Sequence, residues 1–257
     1  MRLDEFLCRK GYFTSRTKAK QSVENGNVSV NGKVLTKPAA ETDSESVADI
    51  KINALSDYVS LGGYKLEKAL RDFGFSVKDF IAADLGASTG GFTDCLLQNG
   101  AKRVYAVDLN GDLLDERLKK DDRVITVIKN ARLLQRCDFA EHLDLVTADL
   151  SFISLTKVLE IMSDIIDDGK YVLTLIKPQF ESDVKKRVKN GIIKEEKDRI
   201  AACRKVYDFA VGIGLSPLRL TTAPEKKRKN VEYLILFVKA VGKAVKFEEL
   251  VDKIFNL

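Results

Sequence analysis

A glycine-rich stretch, Gly86-Ala-Ser-Thr-Gly-Gly91, has the residue types and spacing of a ligand-binding turn. It follows an apolar run, Phe80 to Leu85, that is short enough for one buried strand, and a helical pattern begins after it. Glycine lets the backbone turn sharply and approach a ligand, and the first turn of a helix offers unpaired N–H donors. The order of strand, glycine turn and helix therefore predicts a site for a phosphate or a nucleoside.

Two common motifs of such turns fail on residue type. A nucleotide-hydrolysing loop needs Lys followed by Ser or Thr directly after its last glycine, whereas this chain has Phe92-Thr93. The dinucleotide motif Gly-x-Gly-x-x-Gly fails because Ser88 stands at the second glycine, where the backbone must approach a pyrophosphate closely. The sequence therefore argues against both kinds of site.

A third motif, the nucleophile elbow of hydrolases, matches in its letters. Gly86-Ala-Ser88-Thr-Gly90 reads as Gly-x-Ser-x-Gly at the required turn from strand to helix. That mechanism needs a histidine base late in the chain. The single histidine, His142, precedes a predicted strand and should lie at the wrong end of the sheet, so a hydrolase is disfavoured.

Strands and helices alternate after the glycine turn, which is typical of a parallel sheet covered on both faces. The predicted strands that follow are Arg103 to Leu109, Val124 to Ile128, Leu143 to Leu150 and Tyr171 to Ile176. Ligands of such sheets bind beyond the carboxyl ends of the strands. The polar residues at those ends are Asp84, Asp108, Asp149 and Lys177.

A site for S-adenosylmethionine fits this arrangement. The glycine turn would pass the methionyl part, and Asp108, which lies 18 residues after Gly90, would bind the ribose hydroxyls. Two later strands, Leu218 to Thr222 and Glu232 to Lys239, are joined by a connection too short for a helix and should pair antiparallel at one edge. Such a pair suits a methyltransferase better than a dehydrogenase.

Lys177 is the candidate base for methyl transfer. A ribose hydroxyl is a weak acid, so its methylation needs a group that takes the proton. A lysine can serve as that base when burial or another cation lowers its pKa. Because the single histidine is poorly placed, the lysine at the end of the fifth strand is the natural candidate.

The positive charge of the chain is concentrated at its start. The formal net charge of the whole chain is +5, and between Met1 and Pro38 eight basic residues stand against three acids. The pattern predicts two short helices, with Ser15 as N-cap of the second, and then a hairpin around Asn31-Gly32. A module of this kind is either a solvated basic surface or an RNA-binding face.

Three motifs in this basic module are Arg2-Leu3-Asp4, Ser15-Arg16-Thr17-Lys18-Ala19 and Gly26-Asn27-Val28-Ser29-Val30-Asn31-Gly32. Together they resemble the pattern of the S4 RNA-binding domain. The resemblance implies a small α+β domain that grips structured RNA mainly through its phosphates. The residues that it implies for RNA binding are Arg2, Arg16, Lys18, Lys20, Asn31 and Lys33.

Six further motifs extend over the rest of the chain: Tyr58-Val-Ser-Leu-Gly-Gly-Tyr-Lys65-Leu, Asp84 to Asp94, Val107-Asp108, Ala148-Asp149-Leu-Ser-Phe-Ile-Ser, Ile176-Lys177-Pro-Gln-Phe-Glu and Asn230-Val-Glu232-Tyr-Leu. They resemble the FtsJ-like 2′-O-ribose methyltransferases and, with the S4 module in front, the hemolysin A (TlyA) family of rRNA methyltransferases. The resemblance implies a catalytic tetrad of Lys65, Asp149, Lys177 and Glu232. In it, Lys177 activates the 2′-hydroxyl, Asp149 orients it, and Lys65 and Glu232 complete the charge network.

The same resemblance implies the fold, the domains and the cofactor site. The fold would be α/β, a Rossmann-like class I methyltransferase with a mostly parallel seven-stranded sheet and an antiparallel edge strand. The S4 domain would span residues 1–55, a linker 56–60 and the methyltransferase domain 61–257. The substrate would be the ribose of a nucleotide, cytidine, in ribosomal RNA. The residues implied for S-adenosylmethionine binding are Asp84, Gly86, Ala87, Ser88, Gly90, Gly91, Phe92, Asp108, Leu109 and Asp149.

Two segments depart from the family pattern. No acidic residue stands near Ile128, where the third strand of the predicted sheet ends. A run of cations, Lys226 to Lys229, replaces the glycine-rich turn before Glu232. These cations would contact RNA phosphates or only solvate a hairpin.

Cysteine spacing and hydropathy indicate whether the chain binds a metal or enters a membrane. The four cysteines are far apart and give no metal-ligand spacing, so reduced thiols in a cytoplasm and no metal are expected. No apolar run approaches the length of a membrane span, and no signal peptide is recognised. Two alternatives to the enzyme remain: an inactive RNA-binding assembly protein, and a membrane-lytic hemolysin, which the family name suggests.

Overall fold

The computed structural model describes residues 1–13, 16–24, 28–42, 49–52, 58–182, 191–224 and 229–255, of which residues 17, 18 and 21 are described by their backbone alone. The chain forms two compact units, Met1–Asp57 and Tyr58–Leu257. Within the described ranges, no helix is both long and apolar enough to cross a membrane.

The first unit packs two helices against a three-stranded antiparallel sheet. Its elements are α1 (Leu3–Arg9), α2 (Arg16–Glu24), β1 (Val28–Val30), β2 (Lys33–Val34) and β3 (Ile50–Ile52), with strand order β2-β1-β3. Asn31 and Gly32 both have positive φ, +51° and +77°, as a two-residue hairpin turn requires. The predicted N-cap, Ser15, and the predicted end of the first domain at residue 55 lie outside the described residues.

The second unit contains one seven-stranded sheet with helices on both faces. In chain order its elements are α3 (Leu61–Phe73), β4 (Ile81–Leu85), α4 (Gly91–Gln98), β5 (Arg103–Asp108), α5 (Glu116–Lys119), β6 (Val124–Ile128), β7 (Leu145–Ala148), α6 (Leu159–Asp164), β8 (Tyr171–Ile176), α7 (Pro178–Glu181), α8 (Glu196–Gly212), β9 (Leu215–Thr222), β10 (Tyr233–Lys239) and α9 (Phe247–Phe255). Two apolar cores lie against this sheet, one of which includes Leu66 and Leu96, and the other Val206 and Val251.

The strand order is β6-β5-β4-β7-β8-β10-β9. Strands β4 to β8 run parallel, and β10 lies antiparallel between β8 and the edge strand β9. This confirms the predicted α/β fold and its mostly parallel sheet. The order reverses between β4 and β7, since the chain moves from β4 to β5 on one side and returns to β7 on the other. A crevice at such a switch point is the expected place for a ligand.

Three elements differ from what the sequence pattern predicts. The pattern predicts a helix over Lys65 to Phe73, but α3 begins at Leu61, because the Ser60 side chain accepts a hydrogen bond from the Gly62 N–H at 3.3 Å and caps the helix. The pattern also predicts one helix over Thr156 to Ile166, where the structure has a 3₁₀ turn followed by α6. Ser182 to Lys205 reads only as a charged stretch, but α8 begins within it at Glu196.

Residues 58–60, which the sequence pattern assigns to the linker, pack with the second unit. Tyr58 is buried, the Val59 N–H donates to the Asp94 carboxylate at 2.8 Å, and Ser60 caps α3.

A glycine explains why the starts of α3 and α4 come so close together. A Cβ on Gly91, the first residue of α4, would overlap Ser60 and lie 3.0 Å from Gly62 Cα in α3, whereas a Cβ on Gly63 would overlap Tyr58.

A buried carboxylate ties the glycine turn to the sheet. Asp84, at the end of β4, is 1% exposed and accepts hydrogen bonds from the Thr93 N–H (2.9 Å) and hydroxyl (2.8 Å), and from the Thr147 hydroxyl (3.1 Å). Thr93 belongs to α4 and Thr147 to β7, so one side chain links three elements. Burial raises the pKa of Asp84 to about 6, although its three hydrogen bonds oppose the shift.

Replacing Gly63 by alanine should destabilise the second unit, because the added methyl group would overlap the buried ring of Tyr58. Overpacking of this kind typically costs about 1–3 kcal/mol. Gly212→Ala is the matched control: Gly212 ends α8, a methyl group there meets open space, and alanine is the better helix former. Urea unfolding of both variants tests this, and equal midpoints would contradict it.

The free energy of unfolding should carry a contribution from Asp84 that falls as pH rises from its ordinary pKa of 3.8 to about 6. In this window the folded chain retains a proton that the unfolded chain has released, and each unit of raised pKa corresponds to about 1.4 kcal/mol. Asp84→Asn cannot ionise, so its profile should lack this fall. Urea unfolding of both proteins across the window measures the difference, and parallel profiles would rule out the assignment.

Candidate cofactor and active site

A cavity of about 240 Å³ opens at the carboxyl ends of β4, β7 and β8. Of the residues predicted to bind the cofactor, seven line it: Asp84, Gly86, Ala87, Ser88, Gly91, Phe92 and Asp149. The predicted residues Gly90, Asp108 and Leu109 lie outside its lining. The cavity is also bounded by Ser60 and Gly62 at the start of α3, and by Ser151 and Lys177 beyond the ends of β7 and β8.

The glycines of the turn serve its conformation and packing. Gly86 and Gly90 have φ of +77° and +92°, in the left-handed region that glycine adopts without strain. A Cβ on Gly86 would overlap Leu150, and one on Gly90 would overlap Leu118. Ser88, which replaces the second glycine of the dinucleotide motif, also has positive φ, +51°, which is uncommon for a residue with a side chain.

The N–H groups of the turn bind the neighbouring strand, which differs from the expectation that they face a ligand. The Gly86 and Ala87 N–H groups donate to the Val107 carbonyl at 2.8 and 3.0 Å, and the Ser88 N–H donates to the Asp108 carboxylate at 2.9 Å. A phosphate site needs such donors to point at the anion. This part of the turn is therefore built for an uncharged or cationic portion of a ligand.

Asp108 is held rigidly at the end of β5. One carboxylate oxygen accepts from Ser88 and the other from the Asn110 N–H at 3.1 Å. Leu109 beside it is 69% exposed, and Ile128, at the end of the neighbouring strand β6, is 70% exposed. The Asp108 carboxylate can accept hydrogen bonds from the two hydroxyls of a ribose. The apolar surface beside it can contact the purine that the ribose carries. The residues present therefore fit S-adenosylmethionine, with apolar contact where the family pattern has an acid.

The four residues of the predicted tetrad form one chain of charges. Lys65 Nζ lies 2.9 Å from Glu232 Oε2 and 3.1 Å from Asp149 Oδ2, and Lys177 Nζ lies 2.6 Å from Asp149 Oδ1. The order is Glu232, Lys65, Asp149, Lys177. The residues come from α3, from the ends of β7 and β8, and from the residue before β10, so the sheet brings together four distant parts of the sequence.

Pairing with opposite charges offsets the effect of burial on Asp149 and Lys65. Burial by itself would raise the pKa of Asp149, but Lys65 and Lys177 outweigh it and hold that pKa below its ordinary value. Burial would likewise lower the pKa of Lys65, but Asp149 and Glu232 raise it above its ordinary value. Two cations and two anions make the group neutral as a whole, which is the condition for burying charges.

Two residues that sequence reasoning missed support the tetrad. Ser151 lines the cofactor cavity, and its hydroxyl accepts a hydrogen bond from Lys177 Nζ at 2.8 Å. Glu181 is 2% exposed and accepts from the Ser154 hydroxyl and from the Leu155 N–H (2.7 Å), so it joins the segment after β8 to the segment after β7. Both residues lie within the motifs around Asp149 and Lys177, but their spacing in the sequence does not predict these hydrogen bonds.

A second cavity, of about 340 Å³, borders the charge network at Lys65 and Glu232. It is lined by Lys65, Glu232 and residues before β10, namely Ala223, Pro224, Lys229, Asn230 and Val231. The Asn230 side chain fixes this segment, since it accepts from the Ile193 N–H (2.7 Å) and donates to the Gly191 carbonyl (2.8 Å). Of the predicted cation run, only Lys229 belongs to the described residues.

The residues predicted to bind RNA are in the first unit. Arg2 and Arg16 both contact the carboxylate of Asp4. Lys20, on α2, and Lys33, on β2, are exposed, and the Asn31 side chain accepts from the Asp49 N–H at 3.0 Å. The side chain of Lys18 lies outside the description.

The single histidine and the possibility of a metal site can also be compared with the sequence prediction. His142 is exposed, pairs with Asp167, and lies before β7, at the end opposite Asp149. Among the residues that the structure describes, no group of three or more His, Cys, Asp or Glu side chains is arranged to hold a metal ion.

Comparison with known proteins agrees with this geometry. Residues 58–239 match the family of FtsJ-like methyltransferases, and residues 1–43 match the S4 domain. Hemolysin A of Brachyspira hyodysenteriae is 40% identical over 245 residues, which cover 93% of this chain and 100% of that protein. The 16S/23S rRNA (cytidine-2′-O)-methyltransferase TlyA of Mycobacterium tuberculosis is 32% identical over 261 residues, which cover 98% and 95%.

A solved structure shows the same likeness in three dimensions. It is that of a protein from Streptococcus thermophilus presumed to be a hemolysin, which is 38% identical and has a TM-score of 0.71, with 98% of this chain and 94% of that chain covered. The match of the methyltransferase family covers more than half of the chain, and the cofactor site fits the methyl donor. The chain therefore belongs to the FtsJ-like methyltransferase family and is an S-adenosylmethionine-dependent methyltransferase.

Proposed function

We propose that this enzyme transfers a methyl group from S-adenosylmethionine to the ribose 2′-hydroxyl of a cytidine in ribosomal RNA. One relative, from Mycobacterium tuberculosis, is named as an rRNA (cytidine-2′-O)-methyltransferase. The S4 match supports RNA as the substrate. Because ribosomal RNA is the substrate, we place the enzyme in the cytoplasm, and neither a membrane nor a metal enters the proposal.

The observation that carries the proposal is the position of Lys177. Its ammonium nitrogen lies 2.6 Å from Asp149 and 2.8 Å from the Ser151 hydroxyl, and all three residues line the cofactor cavity. A hydroxyl is thus already accommodated beside this nitrogen. The ribose 2′-hydroxyl would take a similar place, within reach of the lysine.

When bound, S-adenosylmethionine supplies a methyl group on a positively charged sulfur, which is an electrophile. The 2′-hydroxyl oxygen would take this methyl group, and S-adenosylhomocysteine would leave with the electron pair of the broken carbon–sulfur bond. The hydroxyl proton becomes acidic as this happens, and Lys177 accepts it after releasing one of its own ammonium protons to solvent. The ammonium that results is held by the carboxylate of Asp149.

Asp149 must stay ionised and correctly oriented for this step. Lys65 binds its second oxygen at 3.1 Å, and Glu232 in turn binds Lys65 at 2.9 Å. Removing one partner of such a buried network would leave an uncompensated charge, which costs about 3–5 kcal/mol. Lys65 and Glu232 therefore act through Asp149, and they also line the second cavity.

The proposed reaction is tested by nucleoside mass mapping. Ribosomal RNA lacking the modification is incubated with the purified enzyme and methyl donor, digested, and analysed by mass spectrometry. We expect one additional methyl group on the ribose of cytidine, because the network offers a base to a hydroxyl. A methyl group on a base would contradict the chemistry, and one on the ribose of another nucleoside would contradict the choice of cytidine. Absence of any transfer would favour an inactive RNA-binding protein.

A further inference from the structure

The buried carboxylate of Asp4 in the first unit has no part in methyl transfer. Asp4 is 1% exposed and stands in the first turn of α1. Its Oδ1 accepts from the Arg2 Nε at 3.0 Å and from the Glu5 N–H at 2.9 Å, and its Oδ2 contacts the Arg2 Nη2 at 2.9 Å. Arg2 is therefore bound in the two-pronged geometry that a guanidinium and a carboxylate favour.

A second arginine reaches the same carboxylate from another helix. Arg16, at the start of α2, places its Nε 3.4 Å from Asp4 Oδ2. Since Arg2 and Arg16 contact one oxygen atom, these two guanidinium nitrogens lie at most roughly 6 Å apart. Two cations so close repel each other, and the carboxylate between them offsets that repulsion. Asp4 also has a lowered pKa, mainly because of its hydrogen bond with Arg2, so it remains charged.

Both arginines keep an outward side. The side chain of Arg2 is 44% exposed and that of Arg16 is 54% exposed, whereas that of Asp4 is 2% exposed. A guanidinium has five N–H donors in a fixed plane, and Asp4 occupies only part of them. The pair thus presents oriented donors to solvent, at a spacing that suits the oxygens of one phosphate group.

The backbone that carries Arg2 is also fixed. Arg2 forms a β-bridge with Glu41, the Leu3 N–H donates to the Ala40 carbonyl at 2.9 Å, and the Thr42 N–H donates to the Met1 carbonyl at 2.8 Å. Arg2 therefore has less conformational freedom to lose when it binds a ligand than an exposed arginine on a single helix would have.

We propose that Asp4 is a positioning residue that holds Arg2 and Arg16 together as one binding site for a phosphate of the RNA backbone. The choice of RNA as the source of that phosphate rests on the proposed function. In this site an acidic side chain, Asp4, strengthens the binding of an anion. A carboxylate that served only the fold would weaken RNA binding through its charge, so the sign of the effect separates the two roles.

The test compares two variants that remove one negative charge each from α1 of the full-length enzyme. Asp4→Asn keeps the size of the side chain but cannot hold two guanidinium groups, and Glu5→Gln is the matched control, since Glu5 pairs with the exposed Arg9 at 2.8 Å. Affinity for deproteinised ribosomal RNA is measured by fluorescence anisotropy over a range of salt concentrations. We expect Asp4→Asn to weaken binding by about fivefold or more, with a salt dependence reduced by about one phosphate contact.

Glu5→Gln should bind the RNA as tightly as the unaltered enzyme or more tightly. If Asp4→Asn behaves in the same way, net charge decides affinity and the proposal is overturned. Circular dichroism and thermal unfolding establish whether Asp4→Asn is folded. If it is not, the double variant Arg2→Lys with Arg16→Lys decides: it preserves both charges and the carboxylate but removes the planar donors, so undiminished affinity would overturn the proposal.

The outcome is separable from that of the proposed function. RNA affinity is measured without the methyl donor, so it reports on the arginine site even if the nucleoside analysis finds no ribose methylation. Conversely, ribose methylation by the unaltered enzyme stands whether or not Asp4→Asn weakens RNA binding.

Discussion

The carboxylate of Asp149, buried between two lysines, is the interaction on which the active site depends. A buried carboxylate without partners would be strongly disfavoured, and the shift of its pKa below the ordinary value shows that Lys65 and Lys177 outweigh the effect of burial. The carboxylate in turn offsets the cost of burying the two lysine ammonium groups. The network therefore fixes three side chains at once, and Glu232 extends it to the strand pair at the far side of the sheet.

This constraint accounts for the architecture around it. The ends of β7 and β8 must be adjacent to bring Asp149 and Lys177 together, and α3 must pack beside them to deliver Lys65. Gly91 allows α4 to begin in close contact with the start of α3, and Asp84 links α4 to β7. The cofactor cavity is the space left at the strand order reversal, with the charge network as one wall and Asp108 beyond its rim. In the proposed function, cofactor binding and proton transfer take place at the same switch point.

Much of this arrangement could be predicted because apolar runs of strand length end at polar residues. Asp84, Asp108, Asp149 and Lys177 could be placed at one edge of a parallel sheet from the length of those runs alone. Lys65 and Glu232 could not, since they lie at the start of a helix and before a strand, and only the family motifs identified them. The prediction that the turn offers its N–H groups to a ligand was wrong for Gly86, Ala87 and Ser88, because hydrogen-bond direction is not encoded in residue type. Ser151, Glu181 and the shared carboxylate of Asp4 are contacts between distant segments, for which a single sequence carries no signal.

In the proposed mechanism Lys177 accepts the proton of the acceptor hydroxyl, and the rate of a single turnover reports on that step. Lys177→Ala and Lys170→Ala form a matched pair, because Lys170 lies at the other end of β8 and pairs with Asp144 at 2.7 Å, far from the cofactor cavity. With saturating methyl donor and ribosomal RNA, Lys177→Ala should slow methyl transfer by about a hundredfold or more while it binds S-adenosylmethionine nearly normally, and Lys170→Ala should transfer at the unaltered rate. A Lys177→Ala enzyme that transfers methyl groups within a few-fold of the unaltered rate would contradict the account.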